Sequence, residues 1–401
     1  MSQFLKHSIL FLFCVFAFSL ITVAQSNSGK EVRYNPISTA VPFLTITPDS
    51  RHGAMGDVGA ATSPDANSQF MNPSKFAFAH DKWGFSLSFT PWLRQLVSDV
   101  NLAYLSGFYQ LDQNQAIGGS LRYFSMGQIA LTGIDQSNMG TVNPSEFALD
   151  MSYSRKLSDN FSGGVALRYI RSDLAGGFGG TQGGGESYTA GNAYATDVSF
   201  YHHSVLGGEG SKNSIATGIN LSNIGSKISY NQGSTKEFLP ANMKLGTTFT
   251  TQLNDSSSFA FSLDINKLLV PTPANIVDNS GNVIPDNNSS KSVISSIFGS
   301  FNDAPGGMKE ELQEITVSMG AEYIYRNMFA ARAGYFNESQ FKGNRKYFTA
   351  GVGVKMLFAA IDVSYVIPVE RNNPLANTVR FTLNFNVDSF LKRKQTGPLS
   401  L

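Results

Sequence analysis

Cysteine, charge and long apolar runs are all scarce in this chain, and each scarcity closes off a class of protein. The single cysteine, Cys14, lies within the first two dozen residues. Beyond it there is no thiol for a disulfide framework, a cysteine-ligated metal site or a thiol nucleophile. Charged residues make up only 15% of the chain, with 30 basic against 29 acidic side chains. That balance offers no basic surface for nucleic acid. After residue 24 no segment approaches the roughly twenty apolar residues that a spanning helix needs, so an inner-membrane helical bundle is excluded. No Gly-x-Ser-x-Gly elbow occurs, which leaves serine-hydrolase chemistry little to stand on.

The first residues instead carry an export pattern. Lys6 and His7 precede an apolar run from Ile9 to Val23, and Thr22-Val23-Ala24 supplies a small-residue cleavage site before Gln25. Residues 1–24 are therefore expected to be a signal peptide. Loss of Lys6 with that segment leaves 29 basic against 29 acidic residues. Export without a spanning helix points to periplasm, outer membrane or exterior.

What is abundant is alternation. In Trp83-Gly84-Phe85-Ser86-Leu87-Ser88-Phe89-Thr90 every second residue is large and apolar and the others are small or polar. Successive strand side chains point to opposite faces, so such a segment has one apolar and one polar face. Runs of this kind fall near 83–92, 99–109, 115–125, 145–156, 161–171, 193–202, 214–223, 241–252, 258–267, 314–325, 328–337, 346–356, 359–367 and 378–387. Many reach about ten residues, the length that crosses a bilayer at a tilt. The pattern predicts an all-β fold: a 14-stranded antiparallel transmembrane β-barrel over 83–387. Mean hydropathy stays near zero, at −0.10, because the two faces cancel.

Connector lengths sort as a barrel requires, with short periplasmic turns and longer outer loops. Short ones include Leu111–Asn114, Arg326–Asn327 and Leu357–Phe358; long ones include Met126–Pro144, Ser172–Asn192, Ile224–Pro240 and Leu268–Gln313. On this reading both termini are periplasmic. Residues 25–82 hold Pro36, Pro42, Pro48, Pro64 and Pro73 and no long strand, yet are too apolar for a comfortable tether. They are expected to form a plug or hatch inside the barrel. A tail, 388–401, follows with Lys392, Arg393 and Lys394 as a solvated end or an envelope contact. The Gly-rich stretch Gly176–Gly185 is expected to be a mobile loop rather than a phosphate cradle. Val293, Ile294, Ile297, Phe298 and Phe301 fall at helical spacing and predict a short amphipathic helix in the longest loop.

Phasing each strand by its apolar members turns Arg122, Asp150, Arg168, Asp197, Lys244, Asp264, Glu322, Arg332, Lys355, Asp362 and Arg380 toward the lumen. A Lys or Arg on the lipid face at mid-depth costs about 2–4 kcal/mol, which favours this phase. Mixed signs suggest structural pairs; a selective pore would show a ring of one sign. Trp83 and Trp92 are placed at the two membrane rims, where amphipathic rings prefer to sit. The outer loops offer apolar candidates for partner contact: Trp92, Leu93, Ile129, Leu131, Ile134, Phe178, Phe238, Leu239, Ile294, Ile297 and Phe298. His202 and His203 are too close in sequence to argue a metal site alone, and no cofactor is called for.

Two stretches carry a resemblance. Asp49-Ser50-Arg51-His52-Gly53-Ala54-Met55-Gly56-Asp57-Val58-Gly59-Ala60-Ala61, leading to Phe70-Met71-Asn72-Pro73-Ser74-Lys75, resembles the N-terminal signature of FadL-related outer-membrane proteins. Gly320-Ala321-Glu322-Tyr323-Ile324-Tyr325-Arg326-Asn327-Met328-Phe329-Ala330-Ala331-Arg332-Ala333-Gly334-Tyr335-Phe336 resembles a hairpin of the PorV branch, also called LptO. The resemblance implies a non-enzymatic component of type IX secretion in Bacteroidetes-type outer membranes. Its implied partners are the giant translocon SprA or Sov, secreted cargo with type IX C-terminal domains, the PorU-containing attachment complex and outer-membrane lipid, with no nucleic acid. Two other readings stay open: a FadL-like transporter of hydrophobic small molecules, and an envelope lipid-modifying enzyme using His202 and His203.

Overall fold

In β1, Trp83–Pro91, the outward residues Phe85, Leu87 and Phe89 are exposed while Ser86, Ser88 and Thr90 between them are buried. The strand is inside-out relative to a soluble protein, and the rest of the wall repeats it. A computed structural model describes residues 34–386, apart from 96, 98, 133–135, 137, 177–187, 208–210, 232–234, 274–275, 278–282, 285–289, 357 and 371–372. The expected signal peptide, the C-terminal tail from 388, and nearly all of the Gly-rich stretch lie outside the described residues.

Thirteen more barrel strands follow: β2 Asn101–Gln110, β3 Gln115–Ser125, β4 Ser145–Ser158, β5 Phe161–Asp173, β6 Gly191–Leu206, β7 Asn213–Gly225, β8 Asn242–Asn254, β9 Ser257–Leu268, β10 Thr316–Tyr325, β11 Phe329–Asn337, β12 Lys346–Met356, β13 Ala359–Pro368 and β14 Val379–Asn386. Each pairs antiparallel with the next, and β14 closes on β1 with Phe85 opposite Phe385 and Leu87 opposite Leu383. The sheet is a closed 14-stranded barrel, as the alternation predicts. Closure matters physically because no water is available in a bilayer core to satisfy an open strand edge. The long connection after β3 adds an unpredicted small hairpin, Ile129–Thr132 with Asn138–Val142.

Residues 35–82 pass through the lumen once. Asn35 donates its backbone N–H to Phe341 O (2.9 Å) and its side-chain amide to Pro273 O (3.0 Å) and Glu310 Oε1 (2.9 Å), all at the long-loop end. Lower down, Ser50 N–H reaches Thr382 Oγ1 on β14 at 2.8 Å, and Gly56 N–H reaches Thr349 Oγ1 on β12 at 2.9 Å. At the short-turn end the Gln110 side chain donates to Phe76 O (2.6 Å) and Ala79 O (3.1 Å). Four short turns shape the segment: a 3-10 turn at Pro42–Thr45, α1 at Ser50–Gly53, α2 at Ser68–Met71 and a 3-10 turn at Pro73–Phe78. Asp49 caps α1 by accepting from His52 N–H, and Asn72 caps the last turn by accepting from Ser74 N–H, with Pro73 at its first position.

The expectation that both termini are periplasmic falls on residues outside the described ones; the described segment itself enters from the long-loop end. The last strand ends at the short-turn end, but the described N-terminal chain starts at the opposite mouth. The reason is geometric: the segment is joined to β1 at the short-turn end and crosses the lumen a single time. With the long loops facing outward, a Ser38→Cys substitution in a Cys14→Ser background should react with a membrane-impermeant maleimide on intact cells. Labelling only after cell lysis would reverse the assigned direction of the segment.

Candidate functional site

The lumen is held by ion pairs between strands and between strand and plug. On the wall, Arg168 bridges Asp150 (Nε–Oδ1 2.6 Å) and Asp197 (Nη2–Oδ2 2.9 Å), and its remaining nitrogen meets Asn223. Arg122 lies 3.5 Å from Asp150, donates to Leu44 O of the plug at 3.2 Å, and sits over the Phe70 ring at 4.8 Å. Arg332 joins Glu322 (2.8 Å) and Asp362 (2.6 Å). All of these side chains are buried, where an unpaired charge would be costly.

The plug supplies partners that strand phasing alone did not reveal. Arg51 donates to Glu322 (2.8 Å) and Asp65 (2.9 Å). The Asp264 carboxylate accepts from the backbone N–H of Gly59 (2.7 Å) and Ala60 (3.0 Å), with Lys244 at 4.0 Å. Arg380 faces Asp57 at 3.7 Å. Within the plug, His52 Nδ1 contacts Asp49 at 2.9 Å, and Lys75 donates to Gly59 O (2.8 Å) and Thr62 Oγ1 (2.9 Å). The signal for these partners was the presence of Asp49, Arg51, His52, Asp57, Asp65 and Lys75 in an otherwise apolar, Gly-rich segment.

Of the eleven lumen candidates, Lys355 stands apart: it keeps the inward phase but lies at the open short-turn end of β12 and is exposed. Above the plug is a cavity of about 380 Å³ opening toward the long loops, lined by Trp92, Lys244, Glu338, Tyr347 and Arg380 among others. Trp92 therefore belongs to the interior, with its ring 6.0 Å from the Arg380 guanidinium. Neither a membrane rim nor an outer contact surface fits it, because its even position keeps the inward phase of Ser86, Ser88 and Thr90.

The other loop candidates divide. Ile129, Ile294 and Phe298 are exposed. Leu93 and Leu131 are half-buried. Phe238 lies under Lys227 at 4.0 Å, Leu239 is buried with Phe43 and Leu44 of the plug, and Ile297 packs against Ala241, Leu269 and Val270. These three serve the molecule's own packing. Ile134 and Phe178 lie outside the described residues. His202 and His203 sit near the short-turn end of β6, and among the described residues no group of three His, Cys, Asp or Glu could hold a metal.

A family model described as "Type IX secretion system protein PorV" matches residues 28–275, well over half of the chain. The chain belongs to the PorV family. PorV-family membership makes it an outer-membrane component of type IX secretion, in keeping with the closed transmembrane barrel. Among solved structures, the toluene transporter TodX of Pseudomonas putida is similar at 13% identity and a TM-score of 0.49, over 88% of this chain and 98% of that one. The toluene transporter TbuX of Ralstonia pickettii gives 12% identity and 0.46, over 84% and 96%. A Pseudomonas aeruginosa FadL homologue gives 11% and 0.44, over 88% and 99%. No curated protein matches the chain.

Proposed function

We propose that this PorV-family barrel is a non-enzymatic carrier in a Bacteroidetes-type outer membrane. It binds the giant SprA or Sov translocon, receives secreted cargo through the cargo's C-terminal domain, and passes it to the PorU-containing attachment complex. The observation that carries this reading is the lumen itself. A segment bonded to the wall from one mouth to the other leaves a barrel suited to binding at its long-loop face rather than to conducting a polypeptide. Docking would use the small hairpin with exposed Ile129, together with the half-buried Leu93 after β1.

Small-molecule transport, by contrast, calls for an apolar pocket and a lateral exit. The cavity wall here mixes polar Asn220, Asn242 and Lys244 with apolar Leu44, Phe70 and Leu268, and strand pairing is continuous around the barrel, which leaves no lateral exit. For an envelope enzyme, His202 and His203 lie at the end opposite the outer rim.

The carrier reading is tested by deleting the gene and following proteins that carry the secretion domain. They should accumulate inside the cell, and the full chain should restore export. A folded variant with residues 129–142 replaced by a Gly-Ser linker should restore it poorly. Normal export in the deletion strain would overturn the reading; normal export with the linker variant would remove the hairpin from it.

A further inference from the structure

The connection between β9 and β10 carries two short helices, α3 at Val293–Gly299 and α4 at Met308–Gln313. Both are turned the wrong way for a loop in water. On α3 the fully buried side chains are Ser296 and, just beyond the helix, Ser300, with Val293 and Ile297 half-buried beside them, while Ile294 and Phe298 are 69% and 76% exposed. On α4 the inward residues are acidic. Glu311 and the adjoining Glu314 bind Lys267 at 3.0 and 2.6 Å, and Glu310 binds Lys342 at 2.6 Å. The outward residues Met308 and Leu312 are apolar and exposed, as is Phe301 between the helices. Fully buried polar side chains beneath large exposed apolar ones are the pattern of the barrel wall.

What this segment covers shows which side of the wall it occupies. On β9, Ile265 faces outward and is exposed; Lys267 and then Leu269, on the same phase, are buried. Lys267 is covered by Glu311, Glu314 and the Phe301 ring, whose centroid lies 5.8 Å away. On the β8 side, Ala241 continues the outward phase of Met243 and Leu245, and it is buried with Leu269, Val270 and Ile297 of α3. The segment thus straddles the rim: α3 and Phe301 cover the outward-facing upper ends of β8 and β9, directly above the apolar belt, while Glu310 reaches Asn35 of the plug and Glu314 borders the cavity at the mouth. From Val293 to Asn302 it contains no charged residue.

We propose that α3 and α4 lie in the outer leaflet, with Ile294, Phe298, Phe301, Met308 and Leu312 against lipid acyl chains. An apolar face continuous with a lipid-facing wall, with a lysine (Lys309) exposed beside Met308 and Leu312 to reach the headgroups, is what an interfacial helix presents to the headgroup–acyl boundary. The segment then forms a membrane-seated shoulder on one side of the long-loop face, fixing that face's height over the bilayer. Ile294 and Phe298 belong to this shoulder, not to the cargo surface.

The test uses nitroxide labels at Phe298→Cys and Leu312→Cys, each in a Cys14→Ser background, on the whole protein in phosphatidylcholine nanodiscs. Collisions with lipid-soluble oxygen and with a water-soluble nickel chelate are compared at each site. Ile361→Cys, outward on β13, gives the lipid reference, and Asp255→Cys, in an exposed turn, gives the water reference. Oxygen should dominate at 298 and 312 as it does at 361. Nickel access like that at 255 overturns the proposal. So does shielding from both reagents, which would mean that protein covers the patch. If a cysteine variant loses the gel shift of a folded barrel, Phe298→Trp and Leu312→Trp replace it, each in a Trp83→Phe, Trp92→Phe background so that the new ring is the one read. Quenching by brominated phosphatidylcholine then supports the lipid contact, and quenching by acrylamide instead overturns it.

Discussion

Replacing Arg168 with Met should lower the stability of the folded barrel by about 3–5 kcal/mol, the usual cost of breaking a buried ion pair from one side. Arg168 is the only bridge between Asp150 on β4 and Asp197 on β6 among the described residues, and it binds both within 3 Å. Without it, two nearly inaccessible carboxylates lose their shared counter-ion. Arg122 lies 3.5 Å from Asp150 and cannot serve Asp197 as well at that distance. The readout is the temperature at which the barrel stops migrating as a folded species on a gel, which should fall sharply. Adding Asp150→Asn and Asp197→Asn should recover much of the loss, because a network removed whole costs far less than one removed by half. A single variant as stable as the parent would show that these charges are hydrated rather than buried in a filled lumen.

The second large effect is expected from Gly218→Val. Gly218 lies in β7 facing the plug, and a Cβ there would overlap the carbonyl of Ala60. Valine itself suits a strand, so the wall has no reason to fail. The plug must move instead, and with it the N–H groups of Gly59 and Ala60 that bind Asp264. Gly334→Val on β11 makes the same demand against Met55 and Gly56 from another side. A 14-stranded barrel relieved of its plug is wide enough for water, since the lumen is filled by side chains alone only near about eight strands. Planar-bilayer recordings should therefore show little current for the parent and stable open conductance for either variant. Closed variants would mean that the plug gives way locally without unblocking the lumen.

The wall was legible because its physics is local. Alternation over about ten residues is enforced at every outward position, so all fourteen strands could be placed, with ends off by no more than four residues, as at β6. The hairpin at Ile129–Thr132 and Asn138–Val142 escaped because its strands are only four and five residues long and no buried face imposes an alternating pattern on the first of them. The direction of the plug escaped for a different reason. Its bonds reach wall residues hundreds of positions away, as in Ser50 to Thr382, and no local pattern encodes them. Trp92 shows one rule overriding a better one: preference for a membrane rim suggested an outward ring, whereas the strand phase already turned it inward to Arg380. Helical spacing correctly suggested a helix near Val293, but spacing says nothing about which side of an apolar cluster meets the protein. Ile297 does, while Ile294 and Phe298 do not.

The carrier account is tested most directly by purifying the protein from its native cells with a C-terminal tag in mild detergent and identifying the chains that come with it. The account predicts a giant barrel together with secreted proteins that share one C-terminal domain, and loss of those secreted proteins when residues 129–142 are replaced. Recovery of the barrel alone, or with only a bound fatty acid, would contradict it.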